Sequence, residues 1–184
     1  IGNVQEMFSA DARIAIPDPV YPVYVDSNVM AGRTGAAGSD GRYPGLVYLR
    51  GTADNGFVPA PPDEPVDFAY LCSPNNPTGT VASPASITRV LDGAPGLVVL
   101  DEAYAEFADD TFLPEVRRRR NLLVVRTLSK AFGLAGLRVG WAVGDAALIA
   151  RIEEARGPYK VGTLAERAAV ATLSEDMDWV REHA

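Results

Sequence analysis

Short apolar runs alternate along the chain with segments whose apolar residues repeat at helical spacing. The runs that predict strands are residues 13–16, 46–49, 68–72, 97–101, 122–125 and 139–143. The segments that predict helices are residues 22–30, a stretch that begins after Ser83, residues 145–154 and residues 163–173. Roughly thirty residues separate the starts of the third and fourth strands, which is the length of a strand–helix–strand crossover between parallel strands. The pattern therefore predicts a three-layer α/β domain with a mostly parallel central sheet.

Polar residues, glycines and prolines follow directly after the predicted strands. Because the carboxyl ends of parallel strands meet at one edge of a sheet, ligands of α/β domains collect there. The run at 122–125 is followed by Thr127, Ser129 and Lys130, and Arg138 lies eight residues after the lysine. We therefore expect these side chains to surround a ligand.

A lysine, two hydroxyls and an arginine suit a ligand with an anionic phosphate and an aldehyde, since the amine of Lys130 can capture an aldehyde as a Schiff base. Gly133 and Gly136 allow this segment to turn tightly and to approach a ligand. A free lysine has a pKa of about 10.4, so we expect positive surroundings to favour the neutral, nucleophilic form of Lys130. The alternative from these residues alone is a solvated lysine on a surface turn.

Two further strand ends carry candidate ligand contacts. Pro74 and Pro77 stiffen the turn after the third strand, so that the amide of Asn76 can be held as a donor to a ligand oxygen. Tyr21 lies in the proline-rich turn after the first strand, where its ring can lie against a flat ligand. The alternatives are a plain turn around Asn76 and ordinary core packing of Tyr21.

Acidic residues follow the fourth strand. Asp101 ends that strand and places a carboxylate at the same sheet edge, and Tyr104 lies three residues further on. The next acidic residues are Glu106, Asp109 and Asp110. We expect them to face solvent rather than a metal ion, because no histidine accompanies them.

Three motifs occur in the order found in the fold-type I pyridoxal-phosphate aminotransferases, and the chain resembles that family. They are Asn76-Pro-Thr-Gly79, Asp101 with Tyr104 three residues later, and Ser129-Lys130 with Arg138 downstream. The resemblance implies a large αβα domain that binds pyridoxal 5'-phosphate as its cofactor, with the small domain absent from this chain.

The resemblance also implies a role for each candidate residue. Lys130 would carry the cofactor, Asp101 would face its pyridine nitrogen, Asn76 and Tyr104 would reach its phenolate oxygen, and Tyr21 would stack on its ring. Thr127, Ser129 and Arg138 are expected to contact the phosphate through charge-assisted hydrogen bonds. Lys130, Asp101 and Tyr104 are therefore the expected catalytic residues, and no metal is expected.

The resemblance differs between the two halves of the chain. Residues 1–82 resemble LL-diaminopimelate aminotransferase, whereas residues 98–184 resemble histidinol-phosphate aminotransferase. Lys160 departs from the second pattern, in which asparagine usually follows Pro158-Tyr159. The implied activity is transfer of an amino group between an amino acid or amine and a 2-oxo acid, with an LL-diaminopimelate-like donor favoured and histidinol phosphate as the alternative. A non-catalytic cofactor-binding or regulatory domain is the alternative of another class.

The resemblance sets an expectation for domain organisation. Family members carry a glycine-rich phosphate loop before the segment that corresponds to this chain. They carry a small domain with a substrate-binding arginine after it. We therefore expect residues 1–184 to form a large cofactor-binding domain that is partial at both ends, and the full-length form to be a homodimer.

Composition and charge disfavour nucleic acid and membranes as binding partners of this chain. The formal net charge of the 184 residues is -7, so the chain lacks the basic surface that meets nucleic acid or an anionic membrane. The basic run at 117–120 predicts a solvated face, because no aromatic residues interleave with it. No apolar run approaches the roughly 20 residues of a membrane span. Cys72 is the only cysteine, which excludes an internal disulfide and favours a cytoplasmic location.

Two other enzyme classes are disfavoured by their missing motifs. The strand ending at Asp101 and Glu102 also resembles the magnesium-binding strand of a P-loop ATPase, but the chain has no Gly-x-x-x-x-Gly-Lys loop to hold phosphates. The only histidine, His183, lies next to the last residue, which argues against a hydrolase with a Ser-His or Cys-His pair.

Overall fold

A computed structural model of the chain describes residues 2–184, with side chains described from residue 4 onward. Ile1, with which the expected domain begins, lies outside the described residues. The strands are β1 (Ile14–Asp18), β2 (Leu46–Arg50), β3 (Phe68–Cys72), β4 (Leu97–Asp101), β5 (Leu122–Thr127) and β6 (Gly140–Val143). The helices are α1 (Gly2–Gln5), α2 (Pro22–Met30), α3 (Pro84–Gly93), α4 (Ala146–Ala155), α5 (Thr163–Glu175) and α6 (Met177–His183). None of these helices is long and apolar enough to cross a lipid bilayer.

The strands of this part of the chain form one sheet in the order β2-β1-β3-β4-β5-β6. Neighbours from β2 to β5 are parallel, and β6 pairs antiparallel with β5 at the edge. The chain leaves β1 through α2 toward β2, and it returns to the other side of β1 at β3. This reversal leaves a crevice at the carboxyl ends of β1 and β3, which is where open α/β sheets bind ligands.

The sheet separates two apolar cores, because successive residues of a strand point to opposite faces. On one face, α3 packs Ile87 and Val90 against the strands. On the other face, α2 packs Tyr24 close to Val99, and α4 adds the partly buried Ile149. The architecture is therefore the predicted three-layer α/β domain with a mostly parallel sheet.

The predicted strands and helices are confirmed, with bounds that differ by no more than two residues. Local chemistry explains two of the helix starts. The hydroxyl of Ser83 accepts from the N–H of Ser86 at the start of α3, and the carboxylate of Asp145 accepts from the N–H of Ala147 at the start of α4. Each cap satisfies an N–H that has no partner within its helix.

A buried ion-pair network joins the ends of β4 and β5 to the loop that follows β4. The guanidinium of Arg126 donates to Glu102 Oε2 at 2.7 Å and to Glu106 Oε1 at 3.0 Å. These two glutamate side chains are 2% and 6% exposed. Glu102 also accepts from the N–H of Phe112 at 2.6 Å and from the hydroxyl of Thr111 at 2.8 Å. The network therefore fixes the loop between β4 and residue 112, which carries Tyr104.

The prediction that Glu106 faces solvent is wrong. A 3-10 turn at Ala105–Phe107 follows β4, and the side chain of Glu106 lies in contact with Arg126. The guanidinium compensates a carboxylate that burial would otherwise destabilise. Asp109 and Asp110, from the same acidic cluster, are exposed as predicted.

Arg126→Met is expected to lower the free energy of unfolding by about 3–5 kcal/mol, because it leaves two buried carboxylates without a cationic partner. Urea denaturation followed by circular dichroism measures the loss. Arg119→Met is the control, since its partner Asp92 has a side chain that is 62% exposed and such a pair contributes about 1 kcal/mol or less. Equal losses in the two variants would contradict the importance assigned to the network.

Candidate functional site

A cavity of about 740 Å³ lies at the carboxyl edge of the sheet. The site residues predicted from the sequence all line it: Tyr21, Asn76, Asp101, Tyr104, Thr127, Ser129, Lys130 and Arg138. They follow four different strands, so only the parallel arrangement of those strands brings them together. Their chemical roles remain predictions.

Tyr21 and Asn76 lie on the two sides of the crevice between β1 and β3. Tyr21 follows β1 and immediately precedes α2, which begins with Pro22. Asn76 lies in the turn after β3, and its side-chain Nδ2 donates to the hydroxyl of Tyr104 at 2.8 Å. The amide and the phenol are therefore close enough to contact one ligand atom together.

Asp101 supplies a buried carboxylate at the floor of the cavity, with 5% of its surface exposed. Its Oδ2 accepts from the hydroxyl of Tyr24 at 2.6 Å, and its Oδ1 accepts from the N–H of Ala103 at 3.0 Å. Burial raises the pKa of Asp101 above its ordinary value, and these two donors oppose that shift. Within the described residues Asp101 belongs to no ion pair, so a cationic group of a ligand would be its first direct ionic partner there.

Tyr24, which contacts Asp101 directly, was not predicted from the sequence as a site residue. Its ring is fully buried and stacks parallel on Tyr70, with ring centroids 4.2 Å apart. Burial raises the pKa of Tyr24 well above its ordinary value, so its hydroxyl stays protonated and donates. The helical pattern at 22–30 contained a partial signal, since one face of that helix had to meet the sheet. The contact with Asp101 itself depends on how α2 crosses the strands.

The amine of Lys130 lies over the ring of Tyr104, with Nζ 5.0 Å from the ring centroid. Leu128 is fully buried and Phe132 is 9% exposed, so two apolar anchors hold the segment while Lys130 remains exposed. Interaction with the Tyr104 side chain raises the pKa of Lys130. The expectation that positive surroundings lower this pKa is therefore wrong in this structure. The groups that act on the amine are phenols and the carboxylate of Asp101 rather than arginines.

Thr127 and Ser129 form a linked pair of hydroxyls on the cavity wall. The hydroxyl of Thr127 donates to Ser129 Oγ at 2.9 Å and accepts from the N–H of Ser129 at 3.1 Å. Both residues leave the end of β5 and precede Lys130. In this geometry the Thr127 proton is engaged within the pair and the Ser129 hydroxyl can donate to an anion; Thr127 would donate as well once its hydroxyl rotates away from Ser129.

The backbone before Arg138 makes two tight turns. Gly133 adopts a left-handed conformation with φ 67°, in agreement with the predicted tight turn. Gly136 lies in a second tight turn, Ala135–Leu137, and Arg138, directly after that turn, is left-handed with φ 56°. A side chain in this region costs about 1–2 kcal/mol, so the fold tolerates strain at the residue that brings a guanidinium to the cavity.

Further charged residues line the cavity from α4 and from the segment after it. Arg156 pairs with Glu153 at 2.9 Å, and Lys160 is exposed. The only two lysines of the chain, Lys130 and Lys160, both line this cavity. Helical spacing alone did not indicate which face of α4 would meet the sheet edge, so Glu153 and Arg156 were not identified from the sequence.

The family model for "Aminotransferase class I and II" matches residues 4–184. LL-diaminopimelate aminotransferase of Desulfosudis oleivorans is 48% identical over 150 residues, which cover 77% of this chain and 36% of that protein. The chain thus spans about a third of the length of the curated relatives it matches. The matched 77% is a larger share than residues 1–82 alone, so similarity to this relative extends beyond the first half.

Solved structures share the fold. LL-diaminopimelate aminotransferase from Chlamydomonas reinhardtii has a TM-score of 0.80 and 26% identity, and the match covers 98% of this chain and 50% of that one. Histidinol-phosphate aminotransferase from Clostridium acetobutylicum has a TM-score of 0.76 and 22% identity, and the match covers 98% of this chain and 54% of that one. This second protein is similar in fold alone. Because the family model extends over nearly the whole chain, this chain belongs to the class I and II aminotransferase family.

Proposed function

We propose that this chain is the cofactor-binding part of a pyridoxal-phosphate-dependent aminotransferase that acts on LL-diaminopimelate or a similar donor. The observation that carries the proposal is the 48% identity to an LL-diaminopimelate aminotransferase over 77% of the chain. The cavity supports it independently, because all of the site residues expected from the family resemblance line one space.

The residues of the cavity fit pyridoxal phosphate. Asp101 is a buried acceptor without a cationic side-chain partner in the described part of the chain, and a protonated pyridine nitrogen would supply that partner. The hydroxyls of Thr127 and Ser129 and the guanidinium of Arg138 would hold the phosphate. Tyr21 would stack on the ring. The donor set thus offers one contact for each charged or flat part of this cofactor.

The remaining three residues would act near the reacting atoms. Asn76 and Tyr104 would bind the phenolate oxygen, and their mutual contact of 2.8 Å supports a shared acceptor. Lys130 would hold the cofactor covalently through its amine, which the contact with Tyr104 keeps near that oxygen.

Pyridoxal phosphate, when bound, supplies an electron sink for the α-carbon of an amino acid. Asp101 would keep the ring nitrogen protonated, which sustains that sink. Lys130 would accept the proton from the substrate α-carbon and return it during amino-group transfer to a 2-oxo acid. Since the raised pKa favours the ammonium form of Lys130 in this structure, the amine must first release a proton before it can act as a base.

The proposal extends to domain organisation and partners. Residues 1–184 would form the large cofactor-binding domain, and the full-length protein would be a homodimer with an amino donor and a 2-oxo acid as its partners. Exposed apolar residues of α5 and α6 support a further contact surface, since Leu164 is 82% and Trp179 is 59% exposed. The single cysteine, Cys72, supports a cytoplasmic location.

Lys130→Ala is expected to abolish covalent attachment of the cofactor. Incubation of the protein with pyridoxal phosphate should give a visible absorbance band, and borohydride should fix the label on the peptide that contains Lys130. Lys160→Ala is a matched control, because Lys160 is the only other lysine and lines the same cavity. Labelling at Lys160, or no labelling of the parent protein, would overturn the assignment.

Arg138→Lys is expected to weaken cofactor binding by about tenfold, because it keeps the charge but removes the planar fork that contacts two phosphate oxygens. Fluorescence titration with pyridoxal phosphate measures the affinity. Arg156→Lys, a change at another arginine of the cavity, should leave the affinity unchanged. An unchanged affinity for Arg138→Lys would make Arg138 structural, and a loss at Arg156 instead would relocate the phosphate.

The donor is tested by assaying LL-diaminopimelate and histidinol phosphate with 2-oxoglutarate as acceptor. The assay uses both the 184-residue chain and the longest natural form of the protein that contains it. We expect turnover of LL-diaminopimelate. Turnover of histidinol phosphate alone would instead favour the donor suggested by the motifs of residues 98–184. Cofactor binding without turnover of either donor would support a non-catalytic cofactor-binding domain.

A further inference from the structure

We propose that Tyr24 is a positioning residue for Asp101. The Tyr24 hydroxyl orients the carboxyl group of Asp101 and favours the ionised form of that group. A cationic ring nitrogen in the cavity would then meet a correctly placed carboxylate. The inference deepens the proposed function and rests on it for the identity of the ring.

The geometry that carries the proposal is a pair of donors from two different elements. The Tyr24 hydroxyl, on α2, reaches Asp101 Oδ2 at 2.6 Å, and the Ala103 N–H, in the loop after β4, reaches Oδ1 at 3.0 Å. Tyr24 is fully buried and Asp101 is 5% exposed. Two donors on the two oxygens fix the rotation of the carboxyl group, which a single donor would leave free.

The position of the Tyr24 ring is itself determined by its neighbours. The ring stacks parallel on Tyr70 at 4.2 Å, and Tyr21 meets it edge-on at 5.9 Å. Tyr70 is anchored by Gln5, whose Nε2 donates to the Tyr70 hydroxyl at 2.6 Å. Tyr24 therefore connects the two residues expected to contact the ring, Tyr21 on its face and Asp101 at its nitrogen.

The electrostatics of Asp101 indicate what the hydroxyl contributes. Desolvation raises the pKa of Asp101, and the hydrogen bond from Tyr24 is the largest influence that lowers it. A tyrosine needed only to fill volume would not require its hydroxyl at this position. A buried hydroxyl that donates to a buried acid instead stabilises the charged form of that acid.

Tyr24→Phe tests the proposal, because it removes the hydroxyl and keeps the stacked ring. Tyr70→Phe is the matched control: it removes an equally buried hydroxyl that bonds to Gln5 and does not touch Asp101. A difference between the two variants therefore reports on the contact with Asp101 rather than on core packing.

The first measurement needs no cofactor. Since the pKa of Asp101 is raised in the folded protein, its ionisation costs stability as pH increases above the unfolded value of about 3.9. Loss of the Tyr24 donor increases this cost. The melting temperature of Tyr24→Phe should therefore fall further below the parent at about pH 8 than at about pH 5, whereas the deficit of Tyr70→Phe should be the same at both.

The side chains that face Asp101 keep the same charge across this range, and the charge of the amino terminus, which also acts on Asp101, is common to the parent and to both variants. Burial raises the pKa of Cys72, on β3, to about 12, so its thiol stays neutral across the range used. The pKa values of Tyr24, Tyr70 and Lys130 are also raised, so the phenols stay neutral and the amine stays cationic. The pH-dependent deficit should disappear when Tyr24→Phe is made in an Asp101→Asn background.

The second measurement compares the affinity for pyridoxal phosphate with that for an analogue whose ring nitrogen is replaced by carbon. Tyr24→Phe should weaken binding of pyridoxal phosphate by about tenfold and binding of the analogue by about twofold or less. Tyr70→Phe should affect both compounds equally. Equal losses for the two compounds in Tyr24→Phe, or equal pH profiles for the two variants, would overturn the positioning role. Failure of the parent protein to bind pyridoxal phosphate would overturn the proposed function, while the pH profiles alone decide the link between Tyr24 and Asp101.

Discussion

The successive carboxylates of Asp101 and Glu102, at the end of β4, point to opposite faces of the sheet. The site depends on this alternation. Asp101 meets Tyr24 on the face covered by α2, whereas Glu102 meets Arg126 and the loop after β4. The guanidinium pairs with Glu102, while Asp101 accepts two hydrogen bonds, forms no ion pair among the described residues and remains available to a ligand. Both buried acids are tolerated because each finds partners within the fold.

The local charge of the cavity is opposite to that of the whole chain. The chain carries a formal net charge of -7, yet its cavity is lined by Arg126, Lys130, Arg138, Arg156 and Lys160 against Asp101 and Glu153. Arg126 and Arg156 are paired with carboxylates of the chain. The remaining cations are therefore the groups left to bind an anionic ligand, which agrees with a phosphate-bearing cofactor.

Sequence patterns identified the strands, the crossover helices and the candidate residues at the strand ends, because each depends on local spacing. Predictions from these patterns were wrong where a side chain contacts a residue that is distant in the sequence. Glu106 is buried because Arg126, on another strand, reaches it. The pKa of Lys130 is raised because Tyr104 lies under its amine. Arg138 adopts a left-handed conformation, which the local preference of an arginine does not predict.

By itself, the sequence determined that the chain forms a parallel α/β sheet whose strands end in a lysine, hydroxyls, an amide and a carboxylate. Hydrophobic periodicity and turn chemistry act between neighbours in the chain, so they are visible in the sequence itself. Only the tertiary structure decided that Tyr24 would donate to Asp101 and that Glu102 would be neutralised by Arg126. Those contacts depend on how α2 and β5 pack against β4. Such packing produces no repeating pattern of residues in the sequence.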